Sequence, residues 1–182
     1  FDENEQKMLY PLFLMTQKPV LFVANVGQDD IAGTSKRVQE LREYAERTKA
    51  SILPVCADIE AELVRMDDTD RAEFMKDLGI VDSGLTRLIH TGLDMLGLQS
   101  YFTAGEIEVR AWVIHKGDTA PIGAGVIHTD FVKKFVRAQV FTFDDLMTHK
   151  SEAAIKSAGR LRVEGKEYVL QDGDVCHFLI AN

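Results

Sequence analysis

Cysteine, proline and tryptophan are scarce in this chain: two, four and one among 182 residues. Cys56 and Cys176 lie far apart in apolar contexts. That is not the pattern of a disulfide framework; two buried thiols in a reducing compartment are expected. The five histidines are scattered, no H-x-x-x-H pair occurs, and no Cys/His set has zinc spacing, so no metal ligands are assigned. No apolar run approaches the roughly 20 residues needed to cross a bilayer, so no membrane partner is expected. The opening Phe1-Asp-Glu-Asn-Glu-Gln-Lys7 lacks a basic n-region and a cleavage pattern, which argues against a signal peptide. It does not begin with Met, and reads as a chain that starts inside a longer protein.

Positive charge is also short. The formal net charge is −8, and residues 1–97 carry 11 Lys and Arg against 18 Asp and Glu, while residues 98–182 carry 10 against 11. The first half repels phosphate, so diffuse binding to nucleic acid, DNA included, is not expected of it. The second half is near neutral and has room for a local basic patch. What is present is ordinary for a globular protein, 46% hydrophobic and 27% charged, and long enough for one large or two small domains.

The first half reads as helix over 1–17, interrupted at Pro11, then a continuous β-rich run Val20-Leu-Phe-Val-Ala24 of the kind buried in parallel sheets. A loop over 25–35 ends on Thr34 or Ser35, either of which can cap a helix to about Thr48 with Val38, Leu41 and Ala45 inward. Ser51-Ile-Leu-Pro-Val-Cys56 is a second buried strand. Strand, helix, strand with short connections predicts a parallel βαβ unit. Helices follow at about 58–66, 69–78 and 84–96, with Asp67 or Asp68 capping the second, Ser83 the third, and Gly97 closing the third.

The rhythm changes after Gly97. Residues 109–114 alternate as a strand. A helix is expected from His128 or Thr129 through Ala138, with Phe131, Phe135 and Val136 inward. Residues 140–143 read as strand, with Asp144 or Asp145 capping a helical turn. Residues 160–163 and 166–170 read as a hairpin around Glu164-Gly165, and 175–180 as a last strand. Tyr101, Phe102 and Trp112 are expected in the core. A small mixed sheet holding one main helix is an α+β pattern.

Ligands of open parallel sheets sit outside the carboxyl ends of the strands. Two loops leave such ends, Asn25-Val-Gly-Gln28 and Cys56-Ala-Asp58. The Asn25 amide carries both donors and an acceptor, which suits a nucleobase edge, and the backbone of Val26, Cys56 and Ala57 could complete the contact. No G-x-x-x-x-G-K-[ST] loop occurs; Gly33-Thr-Ser-Lys36 has those letters in another order, so no phosphate grip, magnesium ligand or catalytic residue is assigned. Cys176 and His177 are adjacent on a strand and point to opposite faces, and His128 with Asp130 fits a helix start. A basic set remains: Lys133, Lys134 and Arg137 on one helix, with Arg160 and Arg162 later in the chain, a candidate contact for RNA or an acidic protein.

Longer motifs carry a resemblance. Tyr101-Phe-Thr-Ala-Gly-Glu-Ile-Glu-Val-Arg-Ala-Trp112, Ile127-His-Thr-Asp-Phe131, Phe135-Val-Arg-Ala-Gln139, Glu164-Gly-Lys-Glu-Tyr168 and Asp172-Gly-Asp174 closely resemble the C-terminal TGS domain of the YchF/Obg-like ATPases. Lys18-Pro-Val-Leu-Phe-Val-Ala-Asn-Val26 resembles that family's base-specificity strand with its N-x-x-E motif, and Pro54-Val-Cys-Ala57 the motif whose backbone covers the base. The resemblance implies residues 1–97 as the C-terminal, βαβ portion of a Ras-like P-loop nucleotide domain. Residues 98–182 would be a β-grasp, ubiquitin-like TGS domain. It implies Asn25 reading the base beside Val26, Cys56 and Ala57. Gln28 stands where the family's acidic residue falls; it accepts one hydrogen bond and donates another, so it meets adenine as well as guanine. It further implies a full-length parent that binds and hydrolyses ATP, or GTP, with Mg2+, while this chain holds no nucleotide tightly and is inactive alone. The implied partner is the ribosome, by its large subunit; the implied location is cytoplasmic and the implied state a monomer. The alternative is a non-catalytic module that docks on ribosome, RNA or a protein without nucleotide.

Overall fold

A computed structural model describes residues 2–105 and 108–181. Glu106 and Ile107 of the 101–112 run lie outside the described residues. The chain divides into two compact units, Phe1–Leu96 and Gly97–Asn182.

The first unit opens with α1 (Glu3–Leu9) and two 3-10 turns, Tyr10–Leu12 and Met15–Gln17. Of the short or kinked helix expected over 1–17 the short form is found: α1 stops before Pro11, which sits in a new turn that Phe13 closes in the left-handed region (φ 49°). Strand β1 (Leu21–Asn25) leads through a loop to α2 (Lys36–Thr48), capped by Ser35, whose hydroxyl accepts from the Val38 N–H. Strand β2 (Ser51–Val55) follows, then α3 (Ala57–Leu63), α4 (Asp68–Asp77) and α5 (Gly84–Met95). Asp67 caps α4 by accepting from the Thr69 and Asp70 N–H groups, and Ser83 caps α5.

Strands β1 and β2 pair in parallel from Leu21↔Ser51 to Asn25↔Val55, forming a two-stranded sheet. Ser51 N–H donates to Val20 and Val26 N–H donates to the Val55 carbonyl. Residues 51, 53 and 55 therefore turn their backbone groups to β1, and Pro54 takes an outward-facing position where no N–H is needed. Gly33 (φ 63°) lies so close to the Pro54 ring that a Cβ would sit 2.5 Å from its Cγ. The core is Cys56, Ile59 and Leu63, packed by Val26, Ile31, Met66, Phe74, Met75 and Ile80.

The second unit holds β3 (Leu98–Ala104), β4 (Val109–His115), α6 (Ala120–Ile127), α7 (Thr129–Lys134), β5 (Phe135–Thr142), α8 (Phe143–His149), α9 (Glu152–Ser157), β6 (Arg162–Glu164) and β7 (Asp174–Ile180). The strands form one mixed sheet in the order β4-β3-β7-β5-β6, antiparallel except for β3 beside β7. One face buries Tyr101, Ile114, Ala138, Val140 and Cys176 with Ala120 and Ala124 of α6. The Tyr101 hydroxyl donates to the Gly123 carbonyl at 2.9 Å, so its burial leaves no polar atom unpaired. The other face packs Phe102, Phe141 and Val175 with Leu146, Ile155 and Leu161.

Four expectations are corrected here. The helix expected through Ala138 stops at Lys134, and Phe135 begins β5. A register shift between Phe135 and Arg137 inserts one extra residue, so Phe135 and Ala138 both reach the core while Val136 is exposed. Phe131, Phe135 and Ala138 thus repeat at helical spacing although only the first lies on a helix. The hairpin expected over 160–170 is absent. Residues 162–164 pair with β5 instead, and the backbone of Tyr168 and Leu170 bonds to Ala120 and Asp118. The cap of α8 is Thr142, with Asp145 returning to the Thr142 N–H as a capping box. Finally, α6 was not foreseen: Ala-Pro-Ile-Gly-Ala-Gly has little helix propensity, and packing against Tyr101 and Leu170 decides it.

Candidate functional site

The carboxyl ends of β1 and β2 bring Asn25, Val26, Cys56 and Ala57 together. Asn25 is the last residue of β1, and its Oδ1 accepts from the Ala57 N–H at 3.2 Å. That bond takes one of the two lone pairs of the side-chain oxygen, and the two Nδ2–H donors are not used by it. Cys56 is buried at the start of α3, where its carbonyl accepts from the Glu60 N–H. The loop beyond is braced: the Asp30 carboxylate accepts from the Thr34 and Ser35 N–H groups at 2.7 and 3.0 Å. Hydrogen bonding from Ser35, then from its backbone and Thr34, holds the Asp30 carboxyl below the usual carboxylate range. Gln28 begins the turn Gln28–Asp30 and is exposed. With Asp29, Ile31, residues 78–82 and Arg87 it lines an open cavity of about 600 Å³.

Two neighbours of this site had no sequence signal. The Glu60 carboxylate accepts from the Gly84 N–H at 2.6 Å and from Leu85 at 3.3 Å, tying α3 to the start of α5. Arg87 borders both the open cavity and a smaller one beneath it lined by Cys56, Glu60 and Gly84. Twenty-four residues separate Glu60 from Gly84, and no spacing rule links positions so distant.

The basic set of the second unit is dispersed. Lys133 and Lys134 end α7, Arg137 lies on β5, Arg160 precedes β6, and Arg162 is on β6. Lys133 and Arg137 therefore do not share a helical face. Arg162 is engaged: its guanidinium lies 3.2 Å from the buried Asp174 carboxylate and 3.5 Å from Glu164, and over the Tyr168 ring. Asp174 also accepts from the Tyr168 hydroxyl at 2.8 Å and the Gln171 N–H at 2.9 Å. Burial, then the bond to Asp174, pushes the Tyr168 hydroxyl up to about 12.

His128 accepts through Nδ1 from the Asp130 N–H, a helix-start arrangement. Cys176 is buried and His177 exposed, on opposite faces of β7. Burial, then the Asp174 charge, raises the Cys176 thiol well above its ordinary value, so no thiolate nucleophile is poised there. Among the described residues no group of three or more His, Cys, Asp or Glu is placed to hold a metal ion, and no helix is long and apolar enough to cross a membrane.

Fold and site define a two-unit mixed α/β protein, with an asparagine-bearing loop at the carboxyl end of a parallel strand pair and a separate mixed sheet behind it in sequence. The family described as YchF-GTPase_C, a protein of unknown function (DUF933), matches residues 98–181. The ribosome-binding ATPase YchF of Bacillus subtilis is 47% identical over 98% of this chain and 49% of its own length. That of Pasteurella multocida is 48% identical over 97% of this chain and 48% of its own. The solved structure of the Schizosaccharomyces pombe YchF GTPase superposes with a TM-score of 0.79 at 35% identity, covering 98% of this chain and 48% of that one. The chain belongs to the YchF family and corresponds to the C-terminal part of its members. It spans about half the length of these relatives.

Proposed function

We propose that this chain supplies the base-reading end of a nucleotide pocket and a ribosome-docking domain to a YchF-type ATPase or GTPase, acting in the cytoplasm. The observation that carries the reading is the bond between Asn25 Oδ1 and the Ala57 N–H, which brings the end of β1 and the start of α3 together. The free Asn25 donors face a purine acceptor, the backbone of Val26, Cys56 and Ala57 borders the base, and Gln28 admits adenine or guanine. Hydrolysis belongs to the longer protein, which would supply the phosphate loop and Mg2+; in this chain Gly33 packs on Pro54 and Ser35 caps a helix. The order β4-β3-β7-β5-β6, with the first and last strands of the unit parallel at its centre, supports a β-grasp reading of the second unit.

Titration calorimetry of this chain with ATP, GTP and adenosine tests the nucleotide reading. Weak binding is expected, on the order of millimolar, nearly equal for ATP and adenosine and lost in Asn25→Ala. Much tighter binding of ATP than of adenosine would place a phosphate grip in this chain and overturn the reading; so would an Asn25→Ala variant that binds as before.

A second reading, a binding module that docks on the ribosome or a protein without using nucleotide, draws on the compactness of the second unit. It predicts ribosome binding indifferent to ATP, where the first predicts dependence on it in the longer protein.

A further inference from the structure

The open cavity beside the candidate site has walls that the fold already holds in place. One is the turn carrying Gln28, braced where the Asp30 carboxylate accepts from the Thr34 and Ser35 N–H groups. The other is residues 78–82, where the Gly79 N–H donates to the Lys76 carbonyl with φ at 67° and the Ile80 N–H donates to Met75 at 2.8 Å. Ile31 and Ile80, one from each wall, pack on the same core of Cys56, Ile59 and Leu63. The volume of about 600 Å³ falls within the roughly 300–1,000 Å³ of small-molecule sites. A ligand entering between such walls does not have to order them first.

One cation sets the chemistry of this cavity. Arg87 of α5 is half-buried and lines it, and among the described residues its guanidinium makes no ion pair and no hydrogen bond, although Asp29 and Asp82 share the lining. Its planar fork of N–H donors matches a carboxylate through two parallel bonds. The two aspartates, in a unit that is acidic overall, disfavour a doubly charged phosphate more than a single carboxylate. Ile31, Ile80 and Val81 flank the space with apolar surface suited to methylene groups. Gln28 belongs to both places, the base-reading loop and the cavity lining. In the base reading it meets the exocyclic amine of the purine, so a substituent on that amine enters the cavity. A secondary amine still keeps one N–H for the Gln28 carbonyl.

We propose that this site takes purine nucleotides whose exocyclic amine carries an arm ending in a carboxylate, with the base at Asn25 and Gln28 and the carboxylate at Arg87. The inference rests on the base-reading proposal above and names the substrate class of that same site.

The test follows the full 182-residue chain by ligand-observed NMR titration. Three probes are used: adenosine, adenosine with an alkyl arm on its exocyclic amine, and adenosine with an arm of the same length ended by a carboxylate. The acid-armed probe should bind about tenfold tighter than the neutral-armed one. Arg87→Gln should bring the two armed probes together. Val81→Trp, at a position 89% exposed, narrows the cavity from its rim and should weaken both armed probes relative to adenosine. Unchanged melting confirms the fold of each variant. Armed probes that bind alike in the unaltered chain, or not at all where adenosine binds, overturn the arm site and leave the base reading standing. So does a preference for the acid arm that survives Arg87→Gln. An acid-armed probe that binds Asn25→Ala as well as it binds the unaltered chain separates the carboxylate from the base and overturns the joint site. No binding of adenosine to the unaltered chain overturns the base reading and this inference together.

Discussion

Glu60 holds the first amide of α5: its Oε1 lies 2.6 Å from the Gly84 N–H, across 24 residues of sequence. Gly84 itself lies against Val55, so one carboxylate ties α3 to α5 beside the end of β2. A bond from a charged acceptor to a partly buried N–H contributes about 1.5–3 kcal/mol. Glu60→Ala should lower unfolding stability by an amount in that range, and Glu60→Gln, which keeps an acceptor, by less. Urea denaturation of the two variants checks the ordering; equal losses would mean that a neutral acceptor at this position recovers nothing and that the charge carries the bond.

Gly84→Ala sets helix propensity against space. Alanine gains about 1 kcal/mol over glycine in a helix interior, and less at Gly84, the first residue of α5. Here its Cβ would lie 2.7 Å from Val55 Cγ1 and 2.9 Å from Glu60 Oε1. Overpacking of this kind costs about 1–3 kcal/mol, so the variant should be destabilised despite its better propensity. Val55→Ala in the same molecule should recover part of the loss, a coupling that a thermal-melt double-mutant cycle would read.

Alkaline titration should destabilise the second unit. Tyr168 is raised from 10.0 to about 12, and Cys176 is raised from 9.0. A folded-state pKa above the unfolded value means that the unfolded chain releases its proton first. The stabilisation is therefore complete below pH 9, starts to fall as unfolded Cys176 ionises, and falls further from pH 10 to about 12 through Tyr168. Tyr168→Phe should flatten the upper part of that decline, followed by circular dichroism against pH.

Hydrogen exchange should distinguish the two units. The parallel pair β1–β2 has one ladder, whereas β5 is bonded on both sides, to β6 and to β7. Amides of residues 1–60 should exchange faster than those of residues 98–182 in the isolated chain. Uniform protection would show that two strands and their helices suffice without a further sheet partner.

The sequence made the βαβ unit legible because its signals are local: a continuous apolar run, Ser35 as a cap, and a second apolar run. The end of α5 was legible for the same reason, with Gly97 (φ 66°) following the last turn. Motif resemblance located the cluster of Asn25 and Ala57, although nothing local foretells that the two side by side would share a hydrogen bond. Three features were hidden. The β5 bulge counterfeits helical spacing over Phe131, Phe135 and Ala138. The segment 166–170 has a strand's composition, but Leu170 and Tyr168 serve the core and Asp174 rather than a ladder. Arg162 looks like surface charge in the sequence, yet its partner is an aspartate with 2% exposure, brought in by a strand that begins twelve positions later.

Pro54 gives the small sheet a direction of growth. Its ring occupies the rim of β2 that β1 does not use, so a newcomer strand arriving on that rim would meet a missing donor and a blocked approach. The rim of β1 carries no such obstacle. Any chain that completes this sheet is steered to the same side every time, before a single side chain has been compared.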